Sequence, residues 1–201
     1  MQKQEYYAMY RTENSLWWYK GLRDVLDYYL SKKGQKLKIL DAGCGSGMNI
    51  KFLLSKAHLV YGIDLSNDAI FLCKKRRLKN VKKGSILNLP FQNNFFDALI
   101  CIDVLGSMSS NRNIEKAIEE FYRVLKPNGF LLIHAAALPC LRSPHDVVTN
   151  FRVRFLKREL LSYIYSPKWH VLKCSYRVFF LFPIVASIKI IRKFLWKLIG
   201  D

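Results

Sequence analysis

The stretch Asp41-Ala42-Gly43-Cys44-Gly45-Ser46-Gly47, inside LKILDAGCGSGMNIKFL, constrains the fold more than any other part of the chain. An apolar run, LKIL, leads into it and reads as a short buried strand. Residues 48–57 follow and read as a helix. Glycines at a strand-to-helix turn admit positive φ and let a ligand approach the backbone closely. In a doubly wound sheet this turn lies at the carboxyl edge, where ligands bind.

The rest of the chain repeats the strand-then-helix rhythm. HLVYGID, NVKKGSI, FFDALICID and FLLIHAA read as strands two to five. FFDALICID is an apolar run of the kind buried on both faces. Residues 67–78 read as a helix with Ser66 as N-cap. Residues 113–125 carry Ile114, Ala117, Ile118, Phe121, Val124 and Leu125 on one side of a helix, which Lys126-Pro127-Asn128-Gly129 stops. Short connections between such elements predict an α/β, Rossmann-like, doubly wound, mostly parallel sheet with helices on both faces. A helix over 156–165 and a sixth strand in WHVLKCSYRV are expected after the core.

One domain fits 201 residues that are 51% hydrophobic. It divides into an N-terminal helical lid over 1–34, with apolar residues at helical spacing across 5–30, a ligand-binding core over 35–137, and a segment over 138–201 ending in a basic amphipathic tail. The opening residues lack a charged n-region and short apolar h-region, so no secretory signal is expected. The five cysteines form no C-x-x-C pair, which argues against a zinc site, and no metal is expected. A reducing, cytoplasmic setting suits them. The net charge of +18 points to an anionic partner, unless the basic surface is simply solvated.

Three ligands compete for the glycine loop. A triphosphate loop places Lys-Ser or Lys-Thr after its last glycine, and none follows Gly47. A dinucleotide fingerprint is G-x-G-x-x-G, whereas this loop is G-x-G-x-G with Met48 at the third glycine position. S-adenosylmethionine has no phosphate. Asp41 offers a carboxylate to its ammonium, and Asp64, at the end of strand two, offers one to the ribose diol. Both acids are also well placed merely to cap turns.

The motifs together resemble class I S-adenosylmethionine-dependent methyltransferases, and more narrowly the type 11 methyltransferase family. ILDAGCGSG resembles its first motif and VYGIDLS its second; GSILNLPFQNNFFDALICIDVL and EEFYRVLKPNGFLLI resemble the segments through strands four and five. The resemblance implies a cofactor site of Asp41, Gly43, Gly45, Gly47, Asp64, Leu65, Ser85, Ile86 and Cys101. Leu65 would pack on the adenine, Ser85 and Ile86 would flank it, and Cys101 would offer backbone to the methionine part. The family's seventh, antiparallel strand is expected to be missing, leaving six.

The ends resemble a subgroup with E-x-x-H-W-W-F-x-G-x-R near the start and H-D…H-R-x-R-Y after strand five. Here these read Glu13, Leu16, Trp17, Trp18, Tyr19, Gly21, Arg23, then His145, Asp146, Phe151, Arg152, Val153, Arg154, Phe155. The resemblance implies that they form a lid and line the acceptor pocket. Leu16, Ser107 and Phe151 stand where the subgroup has His.

Methyl transfer from a sulfonium needs alignment first and a base only when the nucleophile must lose a proton. His145, Asp103 and Glu13 are the candidate bases; His134 reads as a core histidine, and Arg152 and Arg154 as candidate anion holders. The expected acceptor is a small molecule or a lipid-linked one. In the tail, Lys189, Arg192, Lys193 and Lys197 share one helical face, opposite a second face with Phe194 and Leu195, which suits peripheral association with an anionic membrane. RNA ranks behind these. The alternative is a catalytically weak or inactive cofactor-binding scaffold.

Overall fold

The computed structural model of the chain describes residues 1–33, 36–165 and 167–177, together with 179, 183 and 187. Two helices open the chain, α1 (Lys3–Thr12) and α2 (Trp17–Ser31). The sequence predicts continuous helical spacing over 5–30, but Glu13 to Leu16 break it. Glu13 turns inward and is buried, and Leu16 adopts an extended N-cap conformation before α2. Helix α2 then buries Leu22, Leu26 and Leu30, spaced four apart on one face.

The core follows as β1 (Lys38–Ala42), α3 (Met48–Ser55), β2 (Leu59–Asp64), α4 (Asn67–Lys75), β3 (Val81–Lys83), β4 (Phe96–Ile102), α5 (Asn111–Val124) and β5 (Leu125–His134). All strand pairs are parallel, in the order β3-β2-β1-β4-β5. Strand order reverses between β1 and β4, which creates the switch point where such sheets bind ligands. Alternation along the strands feeds two apolar layers. Leu40, Ala42, Leu99 and Cys101 pack with α5, while Ile39, Ala98 and Ile100 pack with Leu26 and Leu30 of α2 and Ile50 and Leu53 of α3.

Local chemistry sets the helix starts. The Ser66 hydroxyl accepts from the Ala69 N–H at the start of α4, as expected, and Ser110 does the same for Asn113 at α5. Helix α5 therefore begins two residues before the sequence pattern suggests. Its buried residues are Ile114, Ala117, Ile118, Phe121 and Val124; removing Phe121 to Ala would cost roughly 3–5 kcal/mol. Strand β5 starts at Leu125, immediately after α5, with a register shift opposite Phe96 and Ala98 that absorbs Lys126-Pro127-Asn128-Gly129.

Beyond β5 lie α6 (Pro144–Val148) and α7 (Lys157–Ile164), the latter within the expected 156–165. The expected sixth strand is not formed: residues 169–177 run as irregular chain, and the sheet has five strands among the described residues. Val171 and Leu172 both face solvent there, so the run lacks the one-sided apolar pattern that would hold it on the sheet. The amphipathic tail, with Lys189, Arg192, Phe194 and Lys197, lies outside the described residues. No described helix is long and apolar enough to cross a membrane.

Candidate functional site

The glycine loop joins the carboxyl end of β1 to α3. Gly43, Gly45 and Gly47 have φ of 88°, 53° and 82°, left-handed values that a side chain disfavours. At Gly43 space forbids a side chain as well, since a Cβ would stand 2.2 Å from Val104 Cγ2. The N–H groups of Gly43 and Cys44 donate to the Ile63 carbonyl of β2, at 2.8 and 3.0 Å, which fixes the turn against the neighbouring strand.

Two carboxylates flank this turn. Asp64 ends β2; its Oδ2 accepts from the Gly45 N–H and its Oδ1 from the Ser66 N–H, both at 2.9 Å. Burial pushes its pKa up, and those two N–H groups oppose the shift. Asp41 is fully buried in β1, and neither carboxylate oxygen has a hydrogen-bond partner. Burial, then the nearby Asp64 and Glu13 charges, push its pKa up to about 8. An unpartnered buried carboxylate is costly, and a cation delivered to it would remove that cost. The residues therefore fit a ligand that is cationic near Asp41 and carries hydroxyls near Asp64. Asp41 does not itself reach the surface of the cleft described below.

The N-terminal helices are fastened to the core by groups that the sequence alone does not single out. The Glu13 carboxylate accepts from the Ser46 hydroxyl in the glycine loop and pairs with the Arg76 guanidinium just after α4. Arg76 Nε also donates to the Ser46 carbonyl at 2.9 Å, and its guanidinium stacks over Tyr10, 4.1 Å from the ring centre. Arg23 donates to the Glu13 carbonyl at 3.0 Å. Glu13 is thus a clasp between the N-terminal helices, the loop and the core; burial raises its pKa, while Ser46 and Arg76 hold it down. Tyr6 of α1 lies beside Asp64 and Ser66, and burial, then the Asp64 charge, push its phenol up to about 12. Only the fold joins residues so far apart in the chain.

A single cleft of about 1780 Å³ runs from Gly43, Gly45 and Asp64 to the ends of β4 and β5. Leu65 and Ile86 line it; Ser85 does not, and its hydroxyl instead accepts from the Leu87 N–H. Cys101 is wholly buried below the cleft, and burial drives its thiol pKa far up. The departures from the subgroup pattern converge: Leu16, Ser107 and Phe151 all line this one cleft. So does His145, which is exposed. Arg154 is committed internally, with Nε and Nη2 paired to both oxygens of the buried Asp146 at 2.8 and 2.7 Å. Arg152 is exposed.

The ends of β4 and β5 correct the reading of His134. It is not an isolated core histidine: it lines the cleft, and its Nδ1 stands 3.0 Å from Asp103 Oδ1. Parallel pairing of Ile102 with His134 brings the two together, and Asp103 holds a left-handed φ of 57° with its N–H donating to the His134 carbonyl at 2.8 Å. Trp18 packs edge-on to the His134 ring, 6.1 Å between centres, and Arg177 stacks 3.9 Å over Trp18.

A five-stranded parallel sheet with a glycine turn and two carboxylates at its switch point defines the class: this is the class I S-adenosylmethionine-dependent methyltransferase fold. More narrowly, residues 40–133 match the model of the family described as a methyltransferase domain. The cofactor of the class is S-adenosylmethionine. A tRNA (carboxymethyluridine(34)-5-O)-methyltransferase from Arabidopsis thaliana is 43% identical over 96 residues, covering 47% of this chain and 23% of the relative. The PH0226 protein from Pyrococcus horikoshii is 31% identical with a TM-score of 0.52, covering 64% of this chain and 65% of that one. A SAM-dependent methyltransferase from Methanosarcina mazei is 29% identical with a TM-score of 0.50, covering 52% and 55%. The chain spans less than a quarter of the length of the first curated relatives it matches.

Proposed function

We infer that the protein transfers the methyl group of S-adenosylmethionine to a small or lipid-linked anionic acceptor. The observation that carries this reading is one cleft lined both by Gly43 and Gly45 of the glycine loop and by the Asp103–His134 pair. Donor and acceptor sites then share one space, which in-line transfer requires.

The bound cofactor supplies an activated methyl on its sulfonium. Asp41 offsets the ammonium charge, and Asp64 accepts from the ribose hydroxyls with the lone pairs left by Gly45 and Ser66. Leu65 and Ile86 supply apolar surface for the adenine. The lid, clasped by Glu13, excludes water. Asp103 accepts a hydrogen bond from His134 Nδ1–H, the tautomer that leaves Nε2 as the basic lone pair for a nucleophile that must lose a proton. His145 and Glu13 serve less well: His145 is exposed, and Glu13 is engaged by Ser46 and Arg76.

A second reading is an RNA acceptor. It is favoured by the tRNA methyltransferase named among the relatives and by the net charge of +18. Methyl-labelled cofactor, incubated with protein and cell extract, separates the readings. Label in the solvent-extractable small-molecule or lipid fraction supports the first; label destroyed by ribonuclease supports the second. Absence of label in every fraction, with S-adenosylhomocysteine still bound, identifies a scaffold.

A further inference from the structure

Arg177 holds its guanidinium in an unusual state. The plane stacks on the Trp18 ring, and Nη1 donates to the Trp18 carbonyl at 3.2 Å. Gly21, one turn along α2, leaves room for it: a Cβ there would lie 3.3 Å from Nη1. The other edge is bare. Nε and Nη2 are both buried, and neither has a hydrogen-bond partner. Each is a desolvated N–H on a cation, a state that folded proteins rarely leave unanswered.

These two N–H groups are not independent. Nε–H and one Nη2–H point the same way, which is the side-on fork that takes both oxygens of a carboxylate. The neighbouring carboxylate, Asp103, feels the Arg177 charge, but its Oδ1 is committed to His134. Arg177, Trp18, Asp103 and His134 all line the cleft.

We propose that the Nε–Nη2 edge of Arg177 is a carboxylate-binding subsite at the acceptor end of the cleft. Trp18 fixes the plane of the fork, so a planar bidentate anion is favoured over a neutral group of the same shape. Two sources present that chemistry: the acceptor, or the methionine end of the cofactor. The acceptor assignment rests on the methyltransferase reading; the carboxylate site itself does not.

Calorimetry on the full chain and on Arg177→Lys and Arg177→Met tests this. Benzoate and benzamide, alike in shape but not in charge, are titrated with and without saturating S-adenosylhomocysteine. S-adenosylhomocysteine is compared with 5′-methylthioadenosine, which lacks the amino acid. Equal methylthioadenosine affinity in all three proteins shows that the variants are folded. The expected result is that the wild type prefers benzoate to benzamide, and that both variants lose benzoate affinity about tenfold or more while keeping that for S-adenosylhomocysteine. That places the carboxylate on the acceptor. Loss of S-adenosylhomocysteine affinity without loss of methylthioadenosine affinity places it on the cofactor. Benzoate and S-adenosylhomocysteine affinities that are unchanged in both variants overturn the proposal. A wild type that binds benzoate but neither nucleoside overturns the methyltransferase reading and leaves the carboxylate site standing.

Discussion

Asp103 Oδ1 stands 3.0 Å from His134 Nδ1, a contact made by two neighbouring strands rather than by neighbouring residues. It gives the cleft an oriented imidazole. Asp103→Asn should lower the methyl-transfer rate on the identified acceptor by about 100-fold, because the wrong tautomer is then favoured. S-adenosylhomocysteine affinity should not change. A full rate in the variant would remove the pair from the mechanism.

Asp64 already holds two backbone N–H groups, so its remaining lone pairs are directed rather than free. Asp64→Asn should weaken S-adenosylhomocysteine binding by about 1.5–3 kcal/mol, the worth of a hydrogen bond to a charged group. Isothermal titration measures it, and unchanged affinity would exclude a ribose role.

Asp41 titrates at about 8 in the folded chain, against roughly 3.9 when unfolded. Between those values the folded state binds more protons than the unfolded one. The stability contribution is therefore fully present below about pH 4 and is lost as pH rises toward 8. Asp41→Asn should remove that slope. Urea unfolding of both proteins from pH 5 to 9, without cofactor, should show the variant gaining on the wild type as pH rises. A pH-independent difference between them would contradict the shift. Binding of a cationic ligand at Asp41 should also release up to about one proton near neutral pH, read from calorimetry in buffers of different ionisation enthalpy.

The clasp on the lid is a nearly buried ion pair, with side-chain exposures of 10% for Arg76 and 7% for Glu13. Glu13→Gln leaves Arg76 without its charge partner and should cost about 3 kcal/mol in urea unfolding. Because Ser46 belongs to the glycine loop, S-adenosylhomocysteine affinity should fall as well. A variant as stable as the wild type would show the lid to be held by other contacts.

Gly43→Ala combines a left-handed φ with a Cβ driven into Val104. It should destabilise the fold by about 1–3 kcal/mol from backbone strain alone. Adding Val104→Ala should recover the steric part but not the strain, so the double variant should fall between the single variant and the wild type in thermal unfolding.

The parallel sheet, its layers and the glycine turn were legible in the chain, because each depends on local signals. Apolar runs, N-caps at Ser66 and positive-φ glycines act within a few residues. So were the carboxylates at 41 and 64, since strand ends fix where they stand. The sixth strand was misread from a run rich in strand formers. Strand formation needs a partner edge and one apolar face, and residues 169–177 leave Val171 and Leu172 in water.

What only the tertiary structure decided is which distant groups meet. Sequence separations of 63 between Glu13 and Arg76, and 159 between Trp18 and Arg177, carry no periodicity that would announce them. Charges and hydrogen bonds act through space, so the lid clasp, the Asp103–His134 pair and the bare edge of Arg177 exist only once the sheet has brought their elements together. The sequence by itself determined a glycine turn at the switch point of a parallel sheet; the packing of α2, β4, β5 and residues 169–177 around it decided the shape and charge of the adjoining cleft.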